Sequence, residues 1–139
     1  MLIHASTVAI NKSAVLITGP AGVGKSDLAL RLIDEGAELI ADDQTFLSEE
    51  GDLLIASAPA SIAGLMEVRH VGLLHLPHTL SAIVALYVEL VPTAEELERM
   101  PEKQFITFAD VKIRRIRLPA FATSTPAKIR AALKYRDTE

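Results

Sequence analysis

The sequence contains no cysteine and no tryptophan, and aromatic residues make up only 4% of its 139 positions. Without cysteine there can be no disulfide, thiolate metal site or cysteine nucleophile, which fits a reducing compartment. With so few rings, the core has to be built from Leu, Ile, Val and Ala. A surplus of positive charge is also missing. Lys and Arg number 14 against 18 Asp and Glu, a formal charge of −4, whereas chains that bind nucleic acid by neutralising phosphates carry the opposite balance. Long apolar runs are absent too. The longest stretch without Asp, Glu, Lys or Arg, 70–88, is interrupted by His70, His75, Pro77 and His78. Its clean part, 80–88, falls short of the roughly 20 residues that span a bilayer. Residues 1–6 lack the basic start of a secretory signal. These absences predict a soluble, cytoplasmic protein with no nucleic-acid or membrane partner.

What is present is a chain that is 50% hydrophobic and of one-domain length, so a single domain over 1–139 is expected. No repeat or Gly/Ser/Pro-rich linker divides it. Strands are predicted at 8–10 and 14–18 around the turn Asn11-Lys12-Ser13. A helix over 25–35 follows, with Leu28, Ala29, Leu32 and Ile33 as its apolar stripe and Gly36 as C-cap. A short strand at 38–41 ends in Asp42-Asp43, and 46–55 reads as a hairpin turning at Gly51. The apolar run 81–91 predicts a buried strand. Thr93-Ala94-Glu95-Glu96 has the capping-box pattern of a short helix that closes near Pro101. One or two strands over 105–118 and a final helix over 126–135 complete an α/β fold: a P-loop core with a mixed β-sheet, helices and an antiparallel extension.

The chemistry is concentrated early in the chain. Gly19-Pro20-Ala21-Gly22-Val23-Gly24-Lys25-Ser26 fits G-x-x-x-x-G-K-[ST] in full, between a predicted strand and a predicted helix. Its glycines let backbone N–H groups wrap phosphates, and the helix N-terminus adds positive potential. Lys25 can then reach the β- and γ-phosphates of ATP, and Ser26 can ligate Mg²⁺. Asp42 and Asp43 end a strand, where α/β sheets place their ligands. One can hold Mg²⁺ and the other can take a hydroxyl proton, although a solvated turn is the plain alternative. Glu67 and Arg69 alternate around Val68 on a predicted strand. They suit a metal and a phosphate, and equally a surface ion pair. His4, His70, His75 and His78 lack metal-helix spacing and read as structural or exposed. Arg114, Arg115 and Arg117 form either a solvated basic face or a contact for an anion.

Together these segments resemble the catalytic domain of the HPr kinase/phosphorylase family. The resemblance is specific from His4 to about Gly72, through the P-loop, Glu35-Gly36-Ala37-Glu38-Leu39-Ile40-Ala41-Asp42-Asp43, and Glu67-Val68-Arg69-His70-Val71-Gly72. The last segment is similar to the family's E-[IV]-R-G-x-G, with His70 in place of a glycine. The resemblance implies the catalytic domain alone, without the family's N-terminal domain. It also implies an ATP- and Mg²⁺-dependent serine kinase acting on HPr, the phosphocarrier of the sugar phosphotransferase system, and a homo-oligomer, commonly a hexamer. By the same resemblance the catalytic histidine falls on His4, the P-loop lysine on Lys25, the Mg²⁺ ligands on Ser26 and Glu67, the acid–base group on Asp43 and a later arginine on Arg99. The family's late P-V-x-x-G-R loop, tied to phosphorolysis of the phosphoserine, is replaced by Pro119-Ala120-Phe121-Ala122-Thr123-Ser124, without its Gly and Arg. Weak or absent phosphorolysis is therefore expected. The residues alone leave two other functions open: a P-loop kinase of a small metabolite, and a nucleotide-binding regulatory module without transfer.

Overall fold

A computed structural model of the chain describes residues 1–135. Its elements, in order, are β1 (Leu2–His4), β2 (Ser6–Ile10), β3 (Ser13–Thr18), α1 (Lys25–Asp34), β4 (Glu38–Ala41), β5 (Gln44–Glu50), β6 (Leu53–Ser57), β7 (Leu65–Val68), β8 (Gly72–His75), β9 (Ser81–Val91), β10 (Gln104–Phe108), β11 (Val111–Pro119) and α2 (Thr125–Lys134). The early hairpin forms as its sequence predicts, with Asn11 and Lys12 both at positive φ in a two-residue turn. At the end of α1 the N–H groups of Gly36 and Ala37 donate to the carbonyls of Ile33 and Leu32, a closure that lets the chain reverse into β4.

Nine strands form one curled, mixed sheet in the order β1-β5-β6-β9-β3-β2-β4, with β11 and then β10 added beside β9. The long strand β9 organises it. One edge pairs with β3, in parallel; the other pairs first with β6, antiparallel, and then with β11, in parallel. β4 runs in the same direction as β3, with antiparallel β2 between them. The strands β3, β4, β9 and β11 therefore all end on one edge of the sheet.

Aliphatic side chains fill both faces, as the low aromatic content requires. On one face Val15, Ile17, Leu86 and Val88 pack with Leu28 and Leu32 of α1 and Ile129 of α2. On the other, Ala14, Leu16, Ile40, Leu47, Leu54, Val84 and Ile113 form a second cluster inside the curl. A shift of register between Ala14 and Val15 passes over Ala85 and sends Val84 and Leu86 to opposite clusters. The strand predicted over 81–91 matches β9, but its first third is only half covered: Ile83 remains 45% exposed. The free edge of β4 is closed by the segment around His78, with Leu39 bonded to Pro77 and Thr79.

Two sequence expectations are corrected. No helix forms at Thr93. Residues 92–103 are bends and a single turn, held by Leu97 N–H to Ala94 (3.0 Å) and Glu95 N–H to Thr93 Oγ1 (3.4 Å). Met100 is 89% exposed, so the segment has no apolar face to bury and is too short to pay for its own nucleation. Glu67 and Arg69 also do not share a strand face. β7 ends at Val68, and Arg69, His70 and Val71 form the turn into β8, with His70 at φ 71.

Candidate active site

The glycine-rich loop leaves β3 at Thr18 and enters α1 at Lys25, on the edge where the parallel strands end. Val23 is buried and anchors the loop, while Pro20, Ala21 and Gly22 are exposed. Lys25 folds back over it: Nζ donates to the carbonyls of Gly19 (2.9 Å) and Pro20 (3.2 Å). The first N–H groups of α1 point to the same side, as at any helix N-terminus.

β4 delivers the paired aspartates next to that helix start. Asp42 Oδ1 accepts hydrogen bonds from Ser26 Oγ (2.7 Å) and Ser6 Oγ (2.9 Å). Asp43 takes φ 68, its N–H reaches Ser6 Oγ (3.3 Å), and its carbonyl accepts from Ala5 N–H (3.1 Å). Asp42 is thus partly buried and tied to the loop, and Asp43 stands exposed beside it. Ser6, which joins them, carries no motif. It is there because antiparallel pairing sets the start of β2 beside the ends of β3 and β4, with Ser6 opposite Ile17 and Thr7 opposite Ala41. Beneath it the fully buried Thr7 and Thr45 hydroxyls bond each other at 2.7 Å, and Thr45 also donates to Ala5 (2.9 Å).

His4 ends β1 and lines a cleft of about 500 Å³ with Thr18, Gly19, Pro20, Glu89 and Phe108. Sequence reasoning passed over Glu89. Parallel pairing sets it opposite Thr18 on one side and Arg117 on the other. Its carboxylate accepts a hydrogen bond from Arg115 and lies 3.6 Å from Arg117 Nε. The arginine cluster read as a solvated or anion-binding face is therefore, at Arg115 and Arg117, an ion pair with Glu89. Glu67 and Arg69 line a separate cleft of about 550 Å³ along the β7–β8 turn that shares no lining residue with the first. Arg99 is exposed in the 92–103 segment. The structure thus brings the loop, Asp42 and Asp43 together, with His4 on the cleft that Gly19 and Pro20 line; Glu67 and Arg69 stand on β7, which packs against α1, and on the turn after it, and Arg99 lies in the 92–103 segment.

Ser26 and Asp42 offer adjacent hydroxyl and carboxylate oxygens, the donor type a hard cation such as Mg²⁺ takes, with phosphate oxygens and water to complete it. Among the described residues no group of three or more His, Asp or Glu forms a ready-made metal cluster. No helix of the described residues is long and apolar enough to cross a membrane.

Fold and site together define the class: a mixed α/β domain of kinase type, with its glycine-rich loop at the edge where the parallel strands end. The sequence profile described as HPr Serine kinase C-terminal domain matches residues 1–136, and the chain belongs to that family. It is 31% identical to the HPr kinase/phosphorylase of Clostridium acetobutylicum, over 96% of this chain and 48% of the relative. It is likewise 31% identical to that of Bacillus subtilis, over 84% of this chain and 41% of the relative. The chain thus spans about half the length of the curated relatives it matches. The fold is similar to that of the HPr(Ser) kinase/phosphatase from Coxiella burnetii, with a TM-score of 0.84 and 28% identity over 96% of this chain and 94% of that one.

Proposed function

We propose that this domain is an ATP-dependent protein serine kinase acting on an HPr-type phosphocarrier protein. The observation that carries the reading is the bond of Ser26 in the glycine-rich loop to Asp42 at 2.7 Å, with Asp43 exposed next to it. A phosphate-binding loop, a pair of cation-binding oxygens and a free carboxylate then stand at one sheet edge.

In this reading the loop N–H groups and the α1 N-terminus hold the phosphates of ATP. Lys25 exchanges its bonds to Gly19 and Pro20 for the β- and γ-phosphate oxygens. Ser26 and Asp42, with Glu67 as a further ligand, hold Mg²⁺, which when bound neutralises phosphate charge. Asp43 accepts the proton of the HPr serine as its oxygen bonds to the γ-phosphorus and the bond to the β-phosphate oxygen breaks, releasing ADP. Arg69 and Arg99 offset charge on the transferred phosphoryl group, and His4 borders it from the cleft shared with Gly19.

The protein works in the cytoplasm and as a homo-oligomer, by family resemblance a hexamer. Leu2 (53% exposed), Phe46 (44%), Leu53 (45%) and Ile83 (45%) lie on one face of adjoining strands and supply apolar surface for that association. The deciding experiment is incubation with γ-labelled ATP, Mg²⁺ and purified HPr. Label on an HPr serine is the expected result. Label only on a small molecule identifies a metabolite kinase, and nucleotide binding without transfer identifies a regulatory module.

A further inference from the structure

Phe121 is one of only four phenylalanines in a chain without tryptophan, yet it is 66% exposed. Its loop, between β11 and α2, is not loose. Ala120 is fully buried, and its N–H donates to Val91 (3.2 Å). The guanidinium of Arg31, itself paired with Asp27, donates to the carbonyls of Ala120 and Ala122, and Thr125 Oγ1 donates to Pro119 (2.6 Å). Rigid elements on both sides therefore fix where the ring projects.

It projects onto the glycine-rich loop. A methyl group at Gly24 would come within 2.7 Å of the far end of the Phe121 ring and 3.1 Å of the next carbon. Gly24 is the residue that caps α1. Because β11 runs parallel to β9 and β3, the loop that carries Phe121 leaves the sheet on the same edge as the loop that begins at Gly19. Such a glycine-rich loop holds phosphates through backbone N–H groups. A nucleoside joined to those phosphates extends beyond the loop, and the exposed ring stands against the loop at Gly24. Every base offers a π-face that stacks on an aromatic side chain without needing hydrogen-bond readout.

We propose that Phe121 is the nucleoside-binding residue of this domain, its exposed ring stacking on the base of the nucleotide whose phosphates the 19–26 loop holds. The inference rests on the reading of that loop given under Proposed function. Two ligands separate the two claims: MgATP carries a base, and magnesium tripolyphosphate carries only phosphates. By calorimetry, Phe121→Ala should bind MgATP about tenfold more weakly, the loss expected of one base–ring stack, with tripolyphosphate affinity unchanged. Phe121→Trp keeps the π-face and introduces the only tryptophan of the protein. It should retain MgATP affinity, and its emission should be quenched by MgATP but not by tripolyphosphate. Equal weakening of both ligands in Phe121→Ala would show that the ring shapes the loop and does not hold the base. Unchanged MgATP affinity, or tryptophan emission indifferent to saturating MgATP, would overturn the stacking while leaving the phosphate site standing. If the wild-type chain binds neither ligand, the phosphate-loop reading fails and this inference fails with it.

Discussion

Asp42 and Asp43 are joined by one peptide bond, but the fold gives their side chains different surroundings. Asp42 receives two hydroxyl bonds, from Ser6 and Ser26, while Asp43 is turned out by its left-handed backbone. Asp43→Asn keeps the shape but cannot take a proton. Transfer to HPr should fall by about 10²–10⁴-fold while MgATP still binds, and added Mg²⁺ should not restore it. Asp42→Asn should be partly rescued by excess Mg²⁺, which a titration of labelled transfer against Mg²⁺ reads directly. Rescue of Asp43→Asn alone would exchange the two roles. Lys25→Ala removes the phosphate counter-charge, so both ATP affinity and turnover should be lost; a variant that keeps both removes the loop assignment. Glu67→Gln should raise the Mg²⁺ needed for activity, since an amide is a weaker ligand for a hard cation; an unchanged titration returns Glu67 to a surface role. Lys25, Ser26 and the aspartate pair were legible in the sequence because a contiguous motif and a strand end mark them. Ser6 and Glu89 were not, because only strand pairing carries them to the site.

At the level of elements, the glycine-rich loop is held by what lies beneath it. A side chain at Gly19, at φ 144, would meet Val23 Cγ1 at 2.9 Å and the Leu90 carbonyl at 3.0 Å. The Leu90 carbonyl is backbone of the central strand β9, which yields less readily than the end of a flexible side chain. Gly22, at φ 78, has open space where a Cβ would go. Both alanine substitutions strain the backbone by about 1–2 kcal/mol, but Gly19→Ala should destabilise the fold by more than Gly22→Ala. Denaturant unfolding of the two variants checks the order, and equal losses would mean that β9 gives way. The loop after β11 lacks the Gly and Arg linked by resemblance to phosphorolysis. Transfer of the phosphoryl group from serine-phosphorylated HPr to inorganic phosphate, giving pyrophosphate, should accordingly be weak or absent against the forward reaction. A comparable rate would assign that step to another segment. The helix read at 93–100 failed for a reason local patterns do not contain: its capping signal is sound, but no surface waits to receive it.

For the molecule as a whole, the exposed sheet face bearing Leu2, Phe46, Leu53 and Ile83 is the surface that the proposed association would use. Phe46→Glu places a charge in the middle of that face and should shift the protein toward smaller species in light scattering. An unchanged mass would locate the contact elsewhere. The periodicity of α1, the Asn11-Lys12 turn, the Gly51 hairpin and the run 81–91 determined most elements, because each is a short-range matter of backbone conformation and apolar spacing. The 19–26 motif marked the glycine-rich loop between β3 and α1, since its residues are contiguous in the sequence. Tertiary structure alone decided that β2 would lie between β3 and β4 and carry Ser6 between the two aspartates. It also decided that Arg115 and Arg117 would neutralise Glu89, and that Phe121 would rest against Gly24. Those outcomes depend on which strands pair and in which direction, and pairing is settled by burying the two aliphatic clusters of the whole sheet at once, a quantity no local stretch of sequence holds.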